Sequence, residues 1–334
     1  MTPREIILAN IRHQNPDRPG MNFSGGMNDF LWWWVGPSEK YTQKRWVDGN
    51  LELYDDDWGN IWARIKDSRV GGEIYQPVLD DWSKLDTLEM PDYDNPKRYE
   101  ELRKVFSQPT DLFKICGAPG WVFNTSRYLR KMEIYFVDLI DHREEIDRLH
   151  EMVTSLLVRS IHLIGEAGAD GIFFCEDLGV QDALLMSPQM WRDIFKPHYK
   201  RLTAAAHEHG MVVIEHSCGY NYDLIDDLVD GGIDCFQFDQ PAAYDFPNLA
   251  DKLKKHKVAL FSPLDIQQVM PTGDRDLIER EAERMVDTFR GFLITKEYPD
   301  LPAIGVEPEW NQWAYRAILR ASGIDDQDES AADE

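Results

Sequence analysis

The second half of the chain alternates short apolar runs with amphipathic helical stretches, and few architectures accept that order. The runs at 171–175, 212–214, 233–238, 258–261 and 301–306 are rich in β-branched and aromatic residues, and helical periodicity fills 188–209, 221–229, 247–256 and 275–296. A run that is apolar throughout is buried on both faces, and a helix between consecutive runs leaves them parallel. The order predicts an α/β chain folded as a single TIM-type (β/α)8 barrel, a unit that accommodates 334 residues without a second domain. A strand at 113–117 and helices at 126–139 and 142–167 extend the pattern upstream. Before them the chain carries an elaboration: a helix within residues 1–14 and a β-hairpin of 61–65 with 73–78 across Gly71 and Gly72. The barrel domain is expected over 1–323, and the acidic, small-residue-rich segment 324–334 is expected to be disordered.

The formal charge of −24 argues against nucleic acid and anionic membrane as partners, because both are met with Lys and Arg. No run approaches the roughly 20 apolar residues of a spanning helix, and no apolar core follows the charges of the amino terminus, so a cytoplasmic protein is expected. The four cysteines, Cys116, Cys175, Cys218 and Cys235, are widely spaced and read as reduced thiols or metal ligands, not as a disulfide frame.

In a parallel barrel the chemistry gathers at the carboxyl ends of the strands. The polar residues there are Glu176 and Asp177, His216 and Cys218, Gln237 and Asp239, Ser262, and Glu307. His216 and Cys218 stand two apart at the end of an extended run and share one face. Imidazole nitrogen and thiolate sulfur suit a borderline-soft cation such as zinc, and this pair furnishes half of a tetrahedral site. Glu307 is the first choice for a third ligand, with Glu309, Cys175 and Cys235 as alternatives and the fourth position open for chemistry. A core cysteine beside a histidine on a backbone carbonyl is the plainer account of the pair, and helix capping that of Glu176 and Asp177. Upstream, Gly25-Gly26 precedes a dense aromatic cluster from Phe30 to Trp34, which reads as core packing or as the wall of a pocket for a flat substrate. No phosphate-binding glycine loop, Gly-x-Ser-x-Gly elbow or His-Glu-x-x-His occurs.

The run from Glu176 to Gln181, the segment from Ser187 to Pro197, His207-Glu208-His209-Gly210 and His216-Ser217-Cys218-Gly219 together resemble the uroporphyrinogen decarboxylase superfamily, and within it the cobalamin-dependent methyltransferase branch. The resemblance implies a single barrel with a zinc ion held by His216 and Cys218. In the thiol methyltransferases of that branch the third ligand is a cysteine after the last strand. Here no cysteine follows Cys235, and Glu307 stands in about that place. An oxygen ligand keeps the formal charge but hardens the site, which implies an oxygen-bearing substrate over a thiol. The decarboxylases use arginines near the first barrel strand, and residues 19–44 contain none. The resemblance thus implies an enzyme moving a methyl group from a methoxylated aromatic compound to cobalamin. A partner corrinoid protein would carry that cobalamin, since the chain has no Asp-x-His-x-x-Gly signature. Glu176 or Asp177 would orient the substrate or deliver a proton, and Asn28, Trp32, Trp33, Gln237 and Asp239 would bind it. The alternatives are transfer from methylcobalamin to a zinc-bound thiol, and a non-catalytic or decarboxylase-like barrel.

Overall fold

The computed structural model describes residues 1–38, 40–68 and 71–325, and the tail expected to be disordered lies outside them from residue 326 onward. Thr2 and Glu5 form a capping box that starts α1 (Pro3–Ile11). Strands β1 (Gly20–Asn22) and β2 (Phe30–Trp34) follow, joined by a turn with no helix. Next, β3 (Arg45–Asp48), β4 (Leu51–Asp55), β5 (Ile61–Ile65) and β6 (Glu73–Gln76) form an antiparallel sheet in chain order. The expected hairpin is its second half; β3 is exposed at every position, so no apolar face announced it.

From there strands and helices alternate. Helix α2 (Glu100–Phe106) leads to β7 (Phe113–Gly117). Helices α3 (Val122–Arg130), α4 (Met132–Asp141) and α5 (Arg143–Glu166) lead to β8 (Gly171–Cys175), and α6 (Pro188–Ile194) and α7 (Lys196–Glu208) to β9 (Val212–His216). The order continues with α8 (Ile225–Asp230), β10 (Cys235–Gln237), α9 (Phe246–His256), β11 (Ala259–Ser262), α10 (Arg275–Thr288), β12 (Leu293–Lys296) and α11 (Pro308–Ala321). Eight parallel strands in the order β1-β12-β11-β10-β9-β8-β7-β2 form a nearly closed barrel, the architecture expected. A bridge between Asn22 and Asn28 spans the seam.

The last strand is not where the sequence pattern placed it. Residues 301–306 hold a 3-10 turn, Leu301–Ile304, with Pro302 in its first turn and the Asp300 side chain accepting from the Ala303 N–H. The true strand, β12, was absorbed into the preceding helical period, which Gly291 breaks at φ +91°.

Strand alternation sets two layers. Inward-facing Phe30 stacks on Phe261 at 5.5 Å between centroids and meets Phe113 edge-on at 5.6 Å, filling the barrel beneath its carboxyl end. Outward-facing Phe174 stacks on Trp121 at 3.7 Å, under the helices. Among the described residues no helix is long and apolar enough to cross a membrane.

Candidate active site

Strands β8 and β9 run in register, with Cys175 opposite His216, so the residues just beyond share one rim. Asp177, His216 and Cys218 meet there, each with a ligand atom within 4.8 Å of the others. Sγ of Cys218 lies 3.4 Å, and Oδ1 of Asp177 3.8 Å, from Nε2 of His216. The two loops are joined by backbone N–H groups that donate to side-chain and carbonyl oxygens. The Cys218 N–H donates to Asp177 Oδ1 at 3.0 Å, Leu178 N–H to Ser217 Oγ at 3.1 Å, and Tyr220 N–H to the Val180 carbonyl at 2.7 Å. Gly219 has φ +77°, and a Cβ on it would stand 2.4 Å from the Gly179 carbonyl oxygen. A Cβ on Gly179 would stand 2.5 Å from the Tyr220 carbonyl oxygen, so the loops touch only because both positions are glycine.

A row of side chains behind His216 fixes its tautomer. Nδ1 is 2.6 Å from Gln237 Oε1, and Gln237 Nε2 donates to Asp239 Oδ1 at 2.6 Å. An ionised carboxylate only accepts, so the amide nitrogen faces Asp239, the amide oxygen faces His216, and Nδ1 carries the proton. Nε2 is thereby left with its lone pair toward Cys218 and Asp177. Lys296 Nζ, 3.3 Å from Asp239 Oδ1, anchors the row. On the opposite side the buried guanidinium of Arg127 lies 3.7 Å from Asp177 Oδ2. Burial, then the carboxylates of Asp177 and Asp239, push the Cys218 thiol well above its usual range. A divalent cation is the charge this donor set lacks, and imidazole nitrogen, thiolate and carboxylate oxygen could together hold one.

Glu307 is not in this group. It is exposed at the N-cap of α11, Glu309 is exposed in the first turn, and Cys235 is fully buried in β10. Cys175 opens onto the neighbouring cavity but stands outside the three-residue cluster. The misplaced last strand explains the error: with β12 ending at Lys296, Glu307 lies a whole turn beyond the rim.

A cavity of about 640 Å³ adjoins His216. Trp32 and Trp34 line it, their rings stacked 5.9 Å apart and both edge-on to Phe173. Trp33 does not line it, because successive residues of β2 face opposite ways and Trp34 takes that place. Asn28, Gln237 and Asp239 do line it. The Asn28 amide, however, is tied on both sides to the Phe30 backbone, and Gln237 and Asp239 are tied to His216 and to each other. Sequence reasoning missed Lys296, hidden inside a supposed helix, and Arg127, for which no local signal existed.

Glu176 faces the helices, not the cavity. Oε1 accepts the Phe123 and Asn124 N–H groups at 2.6 and 2.9 Å, at the start of α3, and Oε2 accepts the Tyr199 hydroxyl. That is the geometry of a helix cap, so of the acidic pair only Asp177 reaches the candidate site. The Tyr199 hydroxyl also lies 3.1 Å from Glu215 Oε1, so two fully buried carboxyls share it. Burial pushes Glu176 up to about 7 and Glu215 well above the carboxylate range, the Glu176 charge adding to the latter. Folding therefore retains protons that the unfolded chain releases. The stability involved is fully present below the ordinary value of 4.5 and is lost as pH rises, for Glu176 through about 7. Thermal melts of Glu215→Gln are expected to exceed wild type by about 3 °C near pH ~8 and by almost nothing near pH ~4. A difference independent of pH would refute the buried-acid account.

Residues 64–297 match the family model described as uroporphyrinogen decarboxylase (URO-D), and the chain belongs to that family. No curated protein matches it. Among solved structures, a methyltransferase from Methanosarcina mazei is similar at TM-score 0.53 and 16% identity, over 71% of this chain and 64% of that one. That likeness is one of fold, and the chain spans less than two thirds of the methyltransferase's length. An intracellular xylanase from Thermoanaerobacterium saccharolyticum reaches a TM-score of only 0.36 at 12% identity, over 62% of this chain and 70% of that one.

Proposed function

We propose that the chain is a zinc-dependent methyltransferase that moves a methyl group from a methoxylated aromatic compound to the reduced cobalamin of a partner corrinoid protein. The observation that carries this reading is the convergence of Asp177, His216 and Cys218 at the strand ends beside an aromatic cavity. Family membership and the fold shared with a methyltransferase support it. Zinc held by His216, Cys218 and Asp177 supplies Lewis acidity at the departing oxygen. The oxygen of Asp177 hardens the site as Glu307 was expected to do and tilts it toward an oxygen-bearing substrate. Trp32, Trp34 and Phe173 clasp a flat ring. Gln237 keeps the proton on Nδ1 of His216, and Arg127 orients Asp177. The methyl carbon–oxygen bond breaks with its electron pair left on oxygen, the Co(I) of the partner's corrinoid supplies the pair for the new bond, and the phenolate takes its proton from water.

A polycarboxylated porphyrinogen suits this cavity poorly. Asp239, Glu297 and Asp300 line it, and Lys296, the one Lys or Arg among its described lining residues, is already paired with Asp239. The test is spectroscopic: a reduced corrinoid protein is mixed with the enzyme and a panel of methoxybenzenes, and methylation of cobalt is followed. The double variant His216→Ala, Cys218→Ala is expected to be slower by about a thousandfold. An unchanged rate removes the metal role, and activity only from methylcobalamin to thiols reverses the direction of transfer.

A further inference from the structure

Beside the barrel cavity lies a second compartment of about 380 Å³, and Trp34 and Cys175 line both. Its other walls include Tyr93, the Ala118–Gly120 loop after β7, and two further segments. The turn between β4 and β5 contributes Asp57 and Trp58, and α3 contributes Asn124 and Tyr128. The antiparallel sheet, which the barrel does not need for closure, is thus what encloses this space. Trp58 meets Tyr93 edge-on at 6.0 Å, and with Trp34 and Tyr128 these rings supply the aromatic part of the wall.

The polar groups in it are mainly acceptors. Asn124 is 6% exposed and donates Nδ2–H to the Cys175 carbonyl at 2.8 Å, while its Oδ1 has no hydrogen-bond partner. That oxygen has almost no accessible surface, so the acceptor open to a ligand hydroxyl in the compartment is the carboxylate of Asp57, which lines it. Asp57 is partly withdrawn from water and accepts the Ser38 N–H through Oδ2 at 2.6 Å. Trp34 forms the partition. It is 54% exposed, and its indole lies over Gly117, where a Cβ would stand 2.1 Å from Cε3. A ligand passing over the exposed edge of that indole would have one ring in each compartment.

We infer that the second compartment is a subsite for a second, hydroxyl-bearing ring of the substrate, so that the chain takes two-ring methoxylated phenols in preference to single-ring ones. The inference rests on the proposed function for the aromatic character of the ligand, but its test requires no methyl transfer. Binding of 4-methoxyphenol and of 4-(4-methoxyphenoxy)phenol to the full chain is measured by quenching of tryptophan fluorescence. The two-ring probe is expected to bind about tenfold more tightly. In Ala118→Phe, which puts a ring into the compartment that Ala118 lines, that margin is expected to fall sharply while the one-ring affinity stays; Asp57→Asn, which adds no bulk, is expected to reduce the margin about threefold. Equal affinities in the wild type, binding of neither probe, or a margin that survives both substitutions would overturn the inference. Failure of corrinoid methylation with the margin intact would instead reject the proposed reaction and leave the subsite. Methylation from single-ring donors with no margin would do the reverse.

Discussion

Zinc is expected to bind the wild-type chain one to one, to be lost from Cys218→Ser and Asp177→Ala, and to be retained by Glu307→Ala. The geometry leaves little room for another pattern. Asp177 Oδ1 lies 3.8 Å from Nε2 of His216 and is steered there by the Cys218 N–H and Arg127, whereas Glu307 is exposed at a helix start. Loss of an orienting group behind a metal ligand lowers affinity by about 10–100-fold, and loss of a ligand itself is expected to exceed that. Metal analysis after dialysis against a weak chelator reads the outcome directly. Zinc retained in Asp177→Ala but lost in Glu307→Ala would return the third position to the α11 cap, which requires a rim unlike the one described. A wild type that takes no zinc even when supplied with it would remove the metal from the mechanism.

Gly219→Ala is expected to damage both stability and metal binding. The left-handed backbone alone costs a side chain about 1–2 kcal/mol. At this position the added Cβ would also meet the Gly179 and Val180 carbonyl oxygens at 2.4 and 2.5 Å, and backbone cannot swing aside as a side-chain tip can. Relief means parting the two loops that bring Asp177 to Cys218, so zinc affinity is expected to fall at least about tenfold. Gly291→Ala is the control: Gly291 also has positive φ, at +91°, but a Cβ there meets nothing within 4 Å. It should show the backbone cost without the loss of zinc. Equal effects of the two substitutions on melting and on metal would mean that the loop contact does not hold the site.

What could be read from the chain alone follows from the range of each signal. The apolar runs at Val212–His216 and Gly171–Cys175 declare buried parallel strands locally, and the side-chain period of two put His216 and Cys218 on one face correctly. The same period, applied to β2, would have selected Trp34 in place of Trp33. The third donor was beyond local reach. Asp177 and Glu176 are adjacent and equally acidic, and only the register of β8 with β9, the start of α3 and Arg127 separate a rim carboxylate from a buried cap. Lys296 was missed for another reason: a four-residue strand so soon after a long amphipathic helix is too short to show its own period, and Gly291 between them was the one local sign of the break.

The buried pair Glu176 and Glu215 helps to fix the register of the strands that carry Asp177, His216 and Cys218. Slipping β9 by one residue against β8 would turn Glu215 toward the cavity and His216 toward the helices. The outer layer would then lose the carboxyl that receives the Tyr199 hydroxyl, and the inner layer the imidazole that donates to Gln237. The alignment of the two strands is therefore enforced from both sides by contacts that involve no ion. The proposed zinc would meet an already assembled rim, so its loading is expected to follow folding instead of driving it.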